Sequence, residues 1–165
     1  MNSSLPKSNL KNKTLISFQN VTKTYPRNIE ALKDVSFESP NTPELFTTEF
    51  QPSLGMDLNV ESKKLEGDIY HVVVRVTAQT KMDDKTAFLC EVEQAGIFTI
   101  AGFNDAELSY MLGVQCPTAL FPYARETVSD LVARGGFPQL LLEPVNFEMM
   151  YHEHMQQAQA ETTEQ

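Results

Sequence analysis

The sequence predicts an α+β domain in which an antiparallel sheet carries helices on one face. Three observations carry that prediction. Apolar residues alternate with period 2 over several segments between Ile29 and Ile100, the side-chain spacing of a strand. After Gly102 the apolar period lengthens to that of a helix. Strands therefore come first and helices after, with too few helices between the strands for a doubly wound sheet.

The elements follow in order. Residues 1–28 are polar and lysine-rich and read as an N-terminal extension, partly disordered. The domain proper is expected over 29–158, and 159–165 as a disordered acidic tail with too little apolar surface to order itself. From Ile29 a strand is expected, with Val35 and Phe37 alternating against Ser36 and Glu38; Ser39-Pro40-Asn41-Thr42-Pro43 ends it. Met56, Leu58 and Val60 fall on one side of a second strand. Ile69 to Ala78, β-branched and aromatic, forms the third, and Lys81 to Lys85 a hairpin loop. Ala87 to Ile100 is the fourth, with a bend expected at Ala95-Gly96. Its faces differ: Phe88, Cys90, Val92 and Gln94 share one, while Leu89, Glu91 and Glu93 share an exposed acidic one.

Helices are expected from Asn104, an N-cap, to Met111, and from Pro117 with a kink or break at Pro122. Ala124, Val128, Leu131 and Val132 form the apolar stripe of the latter, and Gly135-Gly136 its stop. Asn146 caps a last helix whose stripe is Phe147, Met150, Tyr151 and Met155. The stretch from Cys116 to Phe147 combines prolines, glycines and aromatics with no acid–base pair or nucleophile at working distance in sequence. It points to shape-based binding rather than to an enzyme.

Composition narrows the function. With 165 residues and 41% hydrophobic content the chain can bury the core of one domain. It has no run of about 20 apolar residues and no apolar block at its N-terminus, and its two cysteines suit a reducing compartment; a cytoplasmic protein is expected. The net charge of −9 is unevenly placed. Residues 1–33 hold six Lys or Arg and one acid, a net of +5, so residues 34–165 hold seven basic and 21 acidic side chains, a net of −14. Such a body repels nucleic acid and attracts cationic partners, although ordinary solubilising charge gives the same numbers.

Single residues add little chemistry. His71 reads as structural, and His152 and His154, two apart, do not share a helix face for a metal. Cys90 reads as a core thiol, and Cys116 lies near a helix start. Residues 16–38 look like the opening of an ABC-type ATPase domain, with Tyr25 as an adenine-stacking aromatic. That reading fails, because no Gly-Lys-Ser/Thr loop occurs anywhere to cradle phosphates.

From Lys33 to Phe147 the chain resembles the family of the bacterial protein-export chaperone SecB. The likeness rests on KDVSFESPNTP, YHVVVRVT, AFLCEVEQAGIFTIAG, CPTALFPYARE and RGGFPQLLLEPVNF, in that order. Upstream the chain departs from the family, with only Ile29, Ala31 and Leu32 to serve the start of the first strand. The resemblance implies a four-stranded antiparallel sheet per subunit and a homotetramer built as a dimer of dimers. It implies a holdase that needs no ATP or cofactor, binds unfolded precursor proteins, passes them to SecA, and neither binds nucleic acid nor inserts into the membrane. Carried over residue by residue, SecA docking falls on Asp34, Glu38, Leu89 and Glu91. Phe50, Phe98, Phe103, Phe121, Tyr123 and Phe137 are candidates for a client groove, with a core role equally open for each. Cys90, Val92 and Gln94 are candidates for subunit contact, with the core as the alternative for Cys90 and Val92. A general or toxin–antitoxin-linked holdase of the same fold, with another docking partner, is the alternative function.

Overall fold

The computed structural model describes residues 17–18, 23–25, 29–32, 34–47, 49 and 51–163, and the side chains from residue 34 to 158 within that set. Four short strands come first: β1 (Ser17–Phe18), β2 (Lys23–Tyr25), β3 (Ile29–Leu32) and β4 (Asp34–Glu38). A 3-10 turn over Glu44–Thr47 leads to three long strands, β5 (Ser53–Lys64), β6 (Ile69–Met82) and β7 (Lys85–Thr99). Helix α1 (Asp105–Tyr110), a π-helical turn (Met111–Gln115), α2 (Cys116–Arg134) and α3 (Phe147–Thr163) complete the chain.

The main sheet is antiparallel throughout, in the order β1-β4-β7-β6-β5, and a separate ribbon pairs β2 with β3. Four of its strands are those the sequence predicts; the fifth, β1, is a two-residue edge pairing Ser17 with Glu38 and Phe18 with Phe37. Strand pairing therefore begins upstream of residue 29, among residues read from sequence as extension. Lys23-Thr24-Tyr25 has two good strand formers but only one apolar side chain and is followed at once by Pro26, so its apolar pattern is too weak to stand out.

Alternation in β6 and β7 decides which face is buried. Val72, Val74, Val76 and Ala78 of β6 join Val35 and Phe37 of β4 and Phe88, Cys90 and Val92 of β7 on the helix side, all essentially inaccessible to water. Leu120, Phe121, Ala124, Val128, Leu131 and Val132 of α2 close over them. α2 is not broken at Pro122. The proline costs about 3 kcal/mol in a helix interior. Each fully buried large apolar side chain on either side of it returns about 1.5–3 kcal/mol, so the helix continues.

The helix ends behave as their sequences direct. Asn104 and Glu107 form a reciprocal capping box, each backbone N–H donating 3.0 Å to the other's side chain. Asn146 caps α3 by accepting from Met149 N at 3.0 Å. α2 stops where Gly135 N donates to Leu131 O at 2.8 Å and Gly136 takes a φ of +87°, open to glycine at no steric cost.

Two further expectations change. At Ala95-Gly96 the β6–β7 register runs through unshifted, and the glycine serves close packing instead: a Cβ there would lie 2.9 Å from Leu120 Cδ2. α3 runs on to Thr163, into the segment read as an unstructured tail. Its Gln, Ala and Glu residues are good helix formers, so the helix propagates although residues 152–158 are all exposed.

Candidate binding surfaces

The sheet face away from the helices is built in cross-strand rows. Pairing puts Asp34 of β4 opposite Glu93 of β7, and Glu93 opposite Arg75 of β6. The next row is Ser36, Glu91 and Thr77; the one after is Glu38, Leu89 and Gln79. Asp34, Glu38, Leu89 and Glu91 thus share one face in three successive rows, each accessible to solvent. The structure brings all four together because side chains paired across strands point the same way.

Arg75 is the cation at the centre of these carboxylates. Its Nε donates to Glu93 Oε1 at 2.7 Å, and Nη2 donates to the same oxygen. Glu61 of β5 lies 3.8 Å from Nη1. The Glu93 hydrogen bond, followed by its charge, raises the guanidinium pKa further above its ordinary value. Around this pair lies a depression of about 330 Å³ lined by Asp34, Ser36, Arg75, Glu91 and Glu93. Of the described residues lining it, Asp34, Glu91 and Glu93 are acidic and Arg75 alone is basic, so it attracts cations.

The six aromatic candidates do not form one wall. Phe50 lies outside the described residues. Phe121 and Phe137 are core, which corrects the groove expectation for both: Phe137 packs 5.0 Å from Phe88 and 5.1 Å from Phe46 between ring centroids, and Phe121 sits 5.8 Å from Phe147. Phe98 is half-buried against the core. Phe103 and Tyr123 are exposed, at 49% and 57%.

A further accessible apolar surface is on β5. α2 covers β7 and β6, and β5 is the far edge of the sheet. Leu54 and Met56 pair with Thr80 and Ala78 on the helix side, yet remain 48% and 46% exposed. Leu58 and Val60 continue the stripe, half-buried. Phe46, in the 3-10 turn, and Leu141, between α2 and α3, are further exposed apolar side chains. The alternation of Met56, Leu58 and Val60 was readable; that Met56 would stay 46% exposed at the sheet edge was not.

Cys90, Val92 and Gln94 are buried within the single chain, on the helix side of β7. The subunit-contact expectation for them is corrected to a core role, since they offer no surface to a second chain. Burial pushes the Cys90 thiol up to about 12 and Cys116 up to about 11, so both are protonated near neutrality and poor nucleophiles. Among the described residues no group of three His, Cys, Asp or Glu could hold a metal, and no helix is long and apolar enough to cross a membrane.

Among the described residues, then, an α+β scaffold carries two unlike surfaces, an acidic sheet face and an apolar strand that α2 leaves exposed, as suits the class of binding proteins. The family model described as preprotein translocase subunit SecB matches residues 20–158, and the chain belongs to the SecB family of protein-export chaperones. It is 69% identical over 145 residues to the protein-export protein SecB of Hydrogenovibrio crunogenus (strain DSM 25203 / XCL-2), covering 88% of this chain and 93% of that one. Among solved structures it is similar to the Mycobacterium tuberculosis Rv1957 SecB-like chaperone in complex with a ChAD peptide from Rv1956 HigA1 antitoxin. That match has a TM-score of 0.55 and 18% identity, over 78% of this chain and 90% of that one, and speaks to the fold.

Proposed function

We propose that the chain is an ATP-independent export chaperone of the cytoplasm that holds unfolded precursor proteins competent for translocation and delivers them to SecA. The observation that carries the reading is the separation of two surfaces. Asp34, Glu38, Leu89 and Glu91 lie on the open sheet face, and Leu54 and Met56 lie on the helix side of β5. SecA docks on the first through its cationic groups, with the charge mainly speeding encounter. Precursors bind the second, because an apolar strip beside a sheet edge takes extended chain without reading its sequence. Exposed Phe103 and Tyr123 extend the client surface. Several weak contacts along one client raise its effective affinity, and assembly into a homotetramer, a dimer of dimers, multiplies them.

The test is suppression of aggregation. A denatured precursor diluted into the protein without nucleotide should stay soluble, and Leu54→Thr/Met56→Thr should weaken that protection at unchanged thermal stability. Full protection by the double variant would move the client site elsewhere.

A second reading, a holdase docked to another partner, draws on the antitoxin peptide bound by the similar mycobacterial chaperone. The 69% identity to a protein-export protein favours export.

A further inference from the structure

Arg75 is an anomaly on the proposed docking face. A surface built only to attract cations gains nothing from a guanidinium at its centre. Yet this one is held in place. Two of its donors go to one oxygen of Glu93, a carboxylate whose side chain is only 15% exposed, while the Arg75 side chain itself is 43% exposed. Glu61, at 3.8 Å from Nη1, is too far for a hydrogen bond. The fork is therefore fixed by Glu93, and Nη1, in ion-pair range of Glu61 but not bonded to it, keeps its N–H groups able to donate on a side chain that is 43% exposed.

We propose that Arg75 is a specificity-determining residue of the acidic face, selecting a partner segment that carries a hydrogen-bond acceptor beside its cationic side chains and rejecting an unpatterned polycation. The inference rests on the docking reading above. Geometry sets the pattern. Arg75 stands in the row of Asp34 and Glu93, and Glu91 and Glu38 stand one and two rows further along. Rows on one face are two residues apart, about 6–7 Å. An extended partner strand that places a carbonyl or carboxylate on Nη1 thus brings a Lys or Arg two residues away over Glu91. A run of lysines instead puts a like charge against Arg75 and loses there what it gains on the carboxylates.

The experiment measures two affinities in one buffer, for purified SecA and for a poly-lysine of about twenty residues, with wild type, Arg75→Gln, Arg75→Lys and Asp34→Asn/Glu91→Gln. Arg75→Gln should bind poly-lysine about 3–10-fold tighter and SecA no tighter, so that the preference for SecA falls by at least the same factor. Arg75→Lys keeps the charge but not the fork, and should bind poly-lysine as wild type does while losing affinity for SecA. If Arg75→Gln shifts both ligands by one common factor, Arg75 contributes only charge and the inference is overturned while the docking reading stands. If Asp34→Asn/Glu91→Gln leaves SecA affinity unchanged, the docking reading falls and the inference with it.

Discussion

Gly113 lies against the ring of Tyr151, so close that a Cβ at Gly113 would come within 2.7 Å of Tyr151 Cδ2. The contact joins the π-helical turn to α3. Tyr151 cannot swing aside easily, because its hydroxyl lies 3.0 Å from Ser109 Oγ and its ring meets Tyr110 edge-on at 5.8 Å. Gly113→Ala should therefore lower stability by about 1–2 kcal/mol, overpacking outweighing the better helix propensity of alanine. In a Tyr151→Ala background the same change should become neutral or stabilising. Equilibrium unfolding of the four species checks the sign of the coupling, and additive effects would refute the contact.

The β6–β7 hairpin turns on Asp83 and Asp84, both at positive φ, 46° and 63°, in a two-residue loop of type I′. Aspartate tolerates this conformation less well than glycine. Asp84→Gly should raise stability by about 0.5–1 kcal/mol, read as a higher unfolding midpoint in urea. A lower midpoint would contradict the turn geometry.

Phe137 and Tyr123 separate core from surface. Phe137 is enclosed by Phe37, Phe46 and Phe88, so Phe137→Ala should cost about 3–5 kcal/mol. Tyr123→Ala removes an exposed ring and should change stability by no more than about 0.5 kcal/mol, while weakening client protection. Denaturation curves and the aggregation assay, run on both variants, distinguish the two roles.

The buried thiols make stability depend on alkaline pH. Cys90 ionises near 9.0 when unfolded but only near 12 in the fold, where burial disfavours the thiolate and Glu91 adds to the effect. The protonated thiol is thus favoured by folding, so its contribution is complete below pH 9.0 and is lost as pH rises from there toward 12. Stability should fall over that window, less steeply in Cys90→Ala, as pH-dependent urea unfolding would show. Native protein should also resist thiol alkylation at neutral pH and react once unfolded.

The acidic face was legible in sequence because strand alternation alone puts Leu89, Glu91 and Glu93 on one side of β7, and family likeness adds Asp34 and Glu38. Arg75 was not singled out, since its place beside Glu93 depends on the β6–β7 register, which no local pattern reveals. The aromatics were hardest to place. Phe121 and Phe137 are no more apolar than Phe103, and only the docking of α2 and the path after Gly136 decides that the first two are covered. Leu54 and Met56 were readable as one side of a strand, but their exposure follows from β5 lying beyond the reach of α2. Likewise Cys90 and Val92 share a clean face, and alternation cannot tell whether a helix of the same chain or a second subunit covers it.

The proposed separation of docking from holding within one chain is tested by binding both ligands to one pair of variants. Affinity for purified SecA and for a labelled, permanently unfolded precursor should be titrated with Asp34→Asn/Glu91→Gln and with Leu54→Thr/Met56→Thr. The first variant should lose SecA, by about tenfold or more, and keep the precursor, while the second should keep SecA and lose the precursor. Loss of both ligands together, in either correctly folded variant, would contradict it.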